Sequence, residues 1–251
     1  MIFITGDTHR DFTKFNTKRF LEQKKLTKED YVIVCGDFGI WNTSAEERYW
    51  LDWLNDKPFT TLFVSGNHEN FDLLKTFPIE QWNGGKVQFI RPSIIHLMRG
   101  QIFDIDGKSF FAMGGASSHD IDAGILEPDD PSFHEKRKWM DRRCLLYRIN
   151  HISWWKEEMP SDEEYEEARK NLDACEWKVD YISSHCCPSS IMDIIGKGHY
   201  KRDRLTDFFE ELKDKLDFQL WFFGHYHDNR ELLQKYILLY EKIISLESFS
   251  E

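Results

Sequence analysis

The chain has 251 residues, with 33 Lys and Arg against 44 Asp and Glu, a formal net charge of −11. Hydrophobic residues make up 41% and aromatics 15%, enough for a sizeable core, which excludes a disordered chain. The longest unbroken apolar runs, such as 31–35 and 236–240, are five residues long, whereas a membrane helix needs about 20.

Residues 2–5 are strand-like from the start, and polar Asp7 and His9 follow at once. No basic and apolar leader precedes them, so a cleaved signal peptide is not expected. Periodicity predicts a helix over 15–25 and a strand over 31–35, and Ser44-x-x-Glu47 is a capping signal for a helix over 45–55. A strand at 60–65, a helix at 71–77 and a strand at 87–90 come next. Asp106-Gly107 joins strands 102–105 and 109–113 as a hairpin. Ser132-x-x-Glu135 opens a basic helix and Ser161-x-x-Glu164 an acidic one. Strands at 181–183, 220–223 and 237–240 and a helix at 203–216 complete the series. No repeat or Pro/Gly/Ser linker divides it, which predicts one layered α/β domain over 1–251 with mixed sheets. Residues 118–160 hold many charges and no clean strand, and are expected to form a cap-like insertion over one face.

Charge is unevenly spread. Residues 156–176 hold nine acids and three bases, while 134–151 hold six bases and two acids. The global acidity argues against non-specific binding to nucleic acid, duplex DNA in particular, or to anionic membranes. It says little about the mouth of a site. The five cysteines form no C-x-x-C pair, as expected of a reduced, cytoplasmic protein.

Five strand-like runs end alike. They lead into Gly6-Asp7-Thr8-His9, Gly36-Asp37, Gly66-Asn67-His68-Glu69, His185, and Gly224-His225-Tyr226-His227. If the strands share a direction, these tips gather along one sheet edge, where open α/β sheets bind ligands. Side chains two apart on extended backbone point the same way, so Asp7 with His9 and His225 with His227 each present a pair. Two carboxylates, one amide oxygen and four imidazoles suit Mn, Fe, Zn, Ni or Co better than Ca²⁺. Seven ligands are too many for one ion and fit two if a carboxylate bridges. Two divalent ions, two carboxylates and one bridging hydroxide leave a positive site, which attracts a phosphate ester.

The ordered set Asp-x-His, Gly-Asp, Gly-Asn-His-Glu, a lone His and Gly-His-x-His resembles the calcineurin-like metallophosphoesterase superfamily, from residue 6 to residue 227. The resemblance implies a four-layer αββα sandwich with the metal site at the C-terminal edge of the strands. It implies Asp7, His9 and His227 on a first ion, Asn67, His185 and His225 on a second, and Asp37 bridging. His68 matches the histidine that contacts substrate and protonates the leaving oxygen. The activity implied is hydrolysis of a phosphate ester by direct attack of a hydroxide held between two divalent ions, Mn being favoured. A small phosphomonoester or nucleotide is the expected substrate; a phosphodiesterase or nuclease is the alternative.

A second set, Gly114-Gly115-Ala116-x-Ser118-x-Asp120, then Arg148-x-x-x-x-Ser153-Trp154-Trp155 and Glu158-Met159-Pro160-Ser161, is similar to short bacterial and phage-type members. Those usually carry Gly where His151 stands here. Arg148 carries the motif match and is expected to contact phosphate; His119 and His151 lie within the cap motifs and are candidate substrate contacts.

Blander readings compete. A metal-free protein-binding scaffold would have lost ligands, and none is missing. Amidohydrolases also use His-x-His, but at the end of a first strand, whereas here it ends one of the last. Glu69 is expected to be solvated or hydrogen-bonded. His96, His134 and His199 are read as surface or satisfied histidines, Cys186 and Cys187 as packed, and at least one of Trp154 and Trp155 as core.

Overall fold

In the opening strand, Ile2 and Ile4 point one way and Phe3 the other, and each side meets a different core. The same alternation organises the whole molecule. In the computed structural model, which describes residues 1–40 and 42–249, two mixed sheets lie face to face with helices on both outer sides, a four-layer αββα sandwich.

The first sheet contains β1 (Ile2–Thr5), β2 (Tyr31–Val34), β3 (Thr60–Phe63), β4 (Ile79–Trp82), β5 (Gly85–Arg91) and β6 (Ile94–Leu97). The second contains β7 (Gln101–Ile105), β8 (Lys108–Met113), β11 (Tyr181–Ser184), β12 (Leu220–Phe223), β13 (Arg230–Leu232) and β14 (Tyr236–Leu238). A short parallel pair, β9 (Ile125–Leu126) and β10 (Arg148–Ile149), stands apart, and β15 (Ile243–Ser245) returns beside β1. Within the first sheet β1, β2, β3 and β6 run parallel; within the second β8, β11, β12 and β14 do.

Ile2, Ile33 and Leu62 meet Phe103, Phe110 and Phe222 between the sheets. Phe3, Val32 and Phe63 pack outward on Leu51 and Leu54 of α1 (Ala45–Asn55) and on Phe12, Phe15 and Phe20. On the other side Phe111, Ile182 and Trp221 cover α4 (Asp162–Ala174), α5 (Ser189–Gly196) and α6 (Arg204–Lys215). No helix among the described residues is long and apolar enough to cross a membrane.

The predicted helix over 15–25 is replaced by two 3₁₀ turns, Phe12–Phe15 and Glu22–Lys25. Asn16 Oδ1 takes the N–H groups of Lys18 and Arg19, competing with a helical ladder. The helix expected over 71–77 shrinks to α2 (Phe71–Leu74), because Pro78 disfavours helical backbone at Phe77. Ser44 and Ser161 cap as expected, but Ser132 does not cap α3 (Phe133–Asp141): its hydroxyl donates to Asp130. Among the described residues six strands escape the sequence reading: β4 and β13 are largely exposed, β15 is three residues long, β6 carries a buried histidine, and β9 and β10, two residues each, lie in the 118–160 stretch where no clean strand is expected.

That histidine, His96, stacks on Phe63 and places Nδ1 2.9 Å from Gln88 Oε1. Burial, aided by the charge of Arg99, pulls its pKa from 6.5 down to about 3. The folded chain therefore keeps His96 neutral at pH values where the unfolded chain protonates it. Its contribution to stability is complete above about pH 6.5 and falls by roughly 1.4 kcal/mol per pH unit as the pH drops towards 3. Denaturant titrations of wild type and His96→Gln should show wild type losing about 2 kcal/mol relative to the variant between pH 7 and pH 5. A difference independent of pH would exclude a buried neutral His96.

Candidate metal centre

The parallel strands deliver their tips to a common edge. β1 leads to Asp7 and His9, β2 to Asp37, β3 to Asn67 and His68, β11 to His185, and β12 to His225 and His227. The backbone there is strained: His9, Asp37, His225 and His227 have φ of 43°, 44°, 70° and 49°. Each left-handed non-glycine residue costs on the order of 1–3 kcal/mol, and such strain gathers at functional sites. Two glycines make close approach possible. A Cβ on Gly66 would lie 2.0 Å from Asp37 Oδ1, and one on Gly224 would lie 2.0 Å from Asp7 Oδ1.

On one side of the centre, Asp7 Oδ2 lies 3.3 Å from His227 Nε2 and 3.6 Å from His9 Nε2, and these two nitrogens are 3.0 Å apart. On the other, His185 Nε2 lies 3.3 Å from both Asp37 Oδ1 and Asn67 Oδ1. Asp37 Oδ2 is also 3.7 Å from His9 Nε2, so one carboxylate reaches both groups. His225 packs its ring 4.9 Å from that of His185, and its Nε2 meets His119 Nε2 at 2.7 Å. The structure thus brings all seven expected ligands to one edge. Ring nitrogens facing one another, two buried carboxylates and an amide oxygen are the donor set of a divalent transition metal, and the residues fit such ions.

The electrostatics are consistent with this donor set. Burial opposes ionisation of Asp7 and Asp37, yet the charge of His185 and the neighbouring imidazoles hold both well below the usual carboxylate range. Burial likewise opposes a charge on His185, but the two carboxylates push its pKa up to about 9. Its Nδ1 donates to the Cys35 carbonyl at 2.8 Å, which fixes the ring with Nε2 facing the centre.

Two side chains brace the loops. Glu69 is hydrogen-bonded as expected, receiving the N–H groups of Phe38, Gly39 and Ile40, which joins the Asp37 loop to its own. Burial pushes its pKa up to about 8 against the pull of those N–H groups. Lys14 stands behind Asp7 and donates to the carbonyls of Asp7 and Tyr240, both at 2.7 Å, and burial lowers its pKa to about 8. Sequence reasoning misses Lys14, which lies just ahead of the wrongly predicted helix, and Tyr240, whose ring stacks on His227 at 4.6 Å.

His68 borders the cluster: a ring nitrogen lies within 4.8 Å of ligand atoms of His9 and Asp37, its N–H donates to Asp37 Oδ1 at 2.8 Å, and its ring is edge-on to His9. Burial lowers its pKa, against Asp37 and with the help of Arg148, whose Nη2 is 3.5 Å from His68 Nε2. Arg148 Nε lies 2.8 Å from both oxygens of Asp120, which aims the guanidinium at the centre. His119 faces His225, whereas His151 turns to Asp72, its Nδ1 2.7 Å from Oδ2. The same oxygen accepts the Trp155 indole N–H, and Trp155 is the buried member of its pair. Cys186 and Cys187 pack in the core under α5 and α6. A cleft of about 500 Å³ opens beside Asp7 and His9, with Arg19, Tyr240 and Lys242 in its wall.

A family model described as calcineurin-like phosphoesterase matches residues 1–229. The lariat debranching enzyme of Drosophila melanogaster is 22% identical over 258 residues, covering 90% of this chain and 42% of the relative. That of Caenorhabditis briggsae is 23% identical over 211 residues, covering 76% and 37%. Lariat debranching enzyme A of Xenopus laevis is 25% identical over 143 residues, covering 50% and 26%. The chain spans less than half the length of these curated relatives. With the family model covering most of its length, the chain belongs to the calcineurin-like phosphoesterases, a family of metal-dependent phosphoric ester hydrolases.

Proposed function

We propose that this chain hydrolyses a phosphate ester at a centre for two divalent transition-metal ions, manganese foremost. Asp7, His9 and His227 would hold one, Asn67, His185 and His225 the other, with Asp37 shared. The observation that carries the reading is the buried Asp37 carboxylate, within 3.3 Å of His185 and 3.7 Å of His9. Bound ions would supply Lewis acidity and an acidified water for in-line attack on phosphorus.

The chain's own residues supply the rest. His68 would give a proton to the leaving oxygen, and Arg148, oriented by Asp120, would take a phosphoryl oxygen in charged hydrogen bonds. Residues 118–160 would act as a cap, since Arg148 and His119 reach the centre from within them. A small phosphomonoester or nucleotide suits the 500 Å³ cleft beside the centre. The names of the lariat debranching relatives favour a second reading, a phosphodiester substrate. The five free cysteines suit a reducing, cytoplasmic setting.

Assays of monoesters, diesters, nucleotides and duplex DNA with Mn²⁺ separate these readings. Small esters should be cut faster than duplex DNA, with shallow salt dependence. Efficient duplex cleavage that collapses between low and moderate salt would promote a nuclease. Arg148→Ala should reduce kcat/KM by about 1.5–3 kcal/mol while metal content stays unchanged. An unaffected variant would make Arg148 part of a solvated cap face.

A further inference from the structure

We infer that Ser118 and Glu158 are positioning residues that decide which end of the Asn67 amide faces the metal centre. The inference rests on Asn67 being a metal-facing group, as proposed above. Both residues lie in motifs that no ligand role absorbs. Glu158 is 3% exposed and sits in the 3₁₀ turn Lys156–Glu158, whose last two carbonyls are held by Arg99 Nη2 at 2.8 and 3.2 Å. Its Oε1 accepts the Ser118 backbone N–H at 2.9 Å, and its Oε2 accepts the Ser118 hydroxyl at 2.6 Å. Ser118 Oγ lies 3.4 Å from Asn67 Nδ2.

A serine hydroxyl carries a single proton. Burial raises the Glu158 pKa, against the Ser118 hydroxyl and N–H that stabilise its charge. When ionised, Glu158 only accepts, so it claims that proton, and Ser118 then offers Asn67 nothing except lone pairs. The amide must therefore turn its NH₂ towards Ser118, which directs Oδ1 towards His185 Nε2, at 3.3 Å. A flipped amide would press its oxygen against Ser118 Oγ and point two N–H groups at the cations. The carboxylate thus sets the polarity of the hydroxyl, and the hydroxyl sets that of the amide. With Asn67, Ser118 and Glu158 all buried, water is poorly placed to replace any link.

The test is calorimetric titration of the full chain with Mn²⁺, alongside thermal melting in chelator. Ser118→Ala removes the acceptor and should weaken one of two sites by about 10- to 100-fold while sparing the other. Ser118→Thr keeps the hydroxyl and should bind as wild type does. Glu158→Gln is the sharper variant. Its amide oxygen must serve the Ser118 N–H, so its NH₂ faces Oγ and sends the serine proton to Asn67. It should therefore lose the same site as Ser118→Ala despite its matching shape. Unchanged Mn²⁺ affinities in both variants would overturn the inference and leave the metal centre standing. A loss at both sites in step with a lowered melting temperature would overturn it too, as the mark of a structural role. Wild-type protein that takes up no Mn²⁺ would remove the metal reading itself, and the inference with it.

Discussion

Asp37→Asn should weaken both metal sites at once and lower kcat/KM by about 10³-fold or more, since metal assistance is worth several kcal/mol. The expectation follows from geometry: one oxygen of the carboxylate lies 3.3 Å from His185 Nε2 and the other 3.7 Å from His9 Nε2. Asparagine has nearly the same shape and keeps an oxygen for the His68 N–H, which Asp37 accepts at 2.8 Å, so the loops should hold. It lacks the charge and the second oxygen that two cations would share. Elemental analysis should therefore fall from close to two ions per chain in wild type, with both affinities reduced. Clean loss of one ion with the other at full affinity would assign Asp37 to a single site.

Much of this is legible in the sequence because the chemistry sits at strand ends. A strand announces itself by β-branched alternation, and a polar residue right after it, behind a glycine, stands out against that pattern. Asp7, Asp37, Asn67 and His225 all follow this rule. What they touch is not legible, because contacts such as Glu158 with Ser118 join residues 40 apart and are set by packing. Lys14 illustrates the limit. Periodicity over 15–25, just after it, fits a helix, but Asn16 and Gln23 spend their side chains on backbone groups and break the ladder. The freed turn lets Lys14 reach the carbonyls behind Asp7. His151 shows the opposite case: it falls in a suggestive motif, yet folding gives it to Asp72.

His68→Ala should keep both metals and the fold while losing activity in a way that depends on the leaving group. His68 touches the centre through its backbone N–H and through ring contact with His9, and its Nε2 points to the Arg148 guanidinium, where a phosphoryl group would be held. Burial and the Arg148 charge lower the His68 pKa, so the ring must take up a proton before it can deliver one, and that delivery matters when the departing oxygen is strongly basic. Alkyl phosphates should therefore lose about 10²–10⁴-fold in kcat, the range general-acid help supplies. Nitrophenyl esters, whose leaving oxygen departs as a stable anion, should lose far less. Plotting log kcat against leaving-group pKa for both proteins measures the effect, with a steeper slope expected for the variant. Equal losses across the series would mean that His68 positions substrate and leaves the proton transfer to another group.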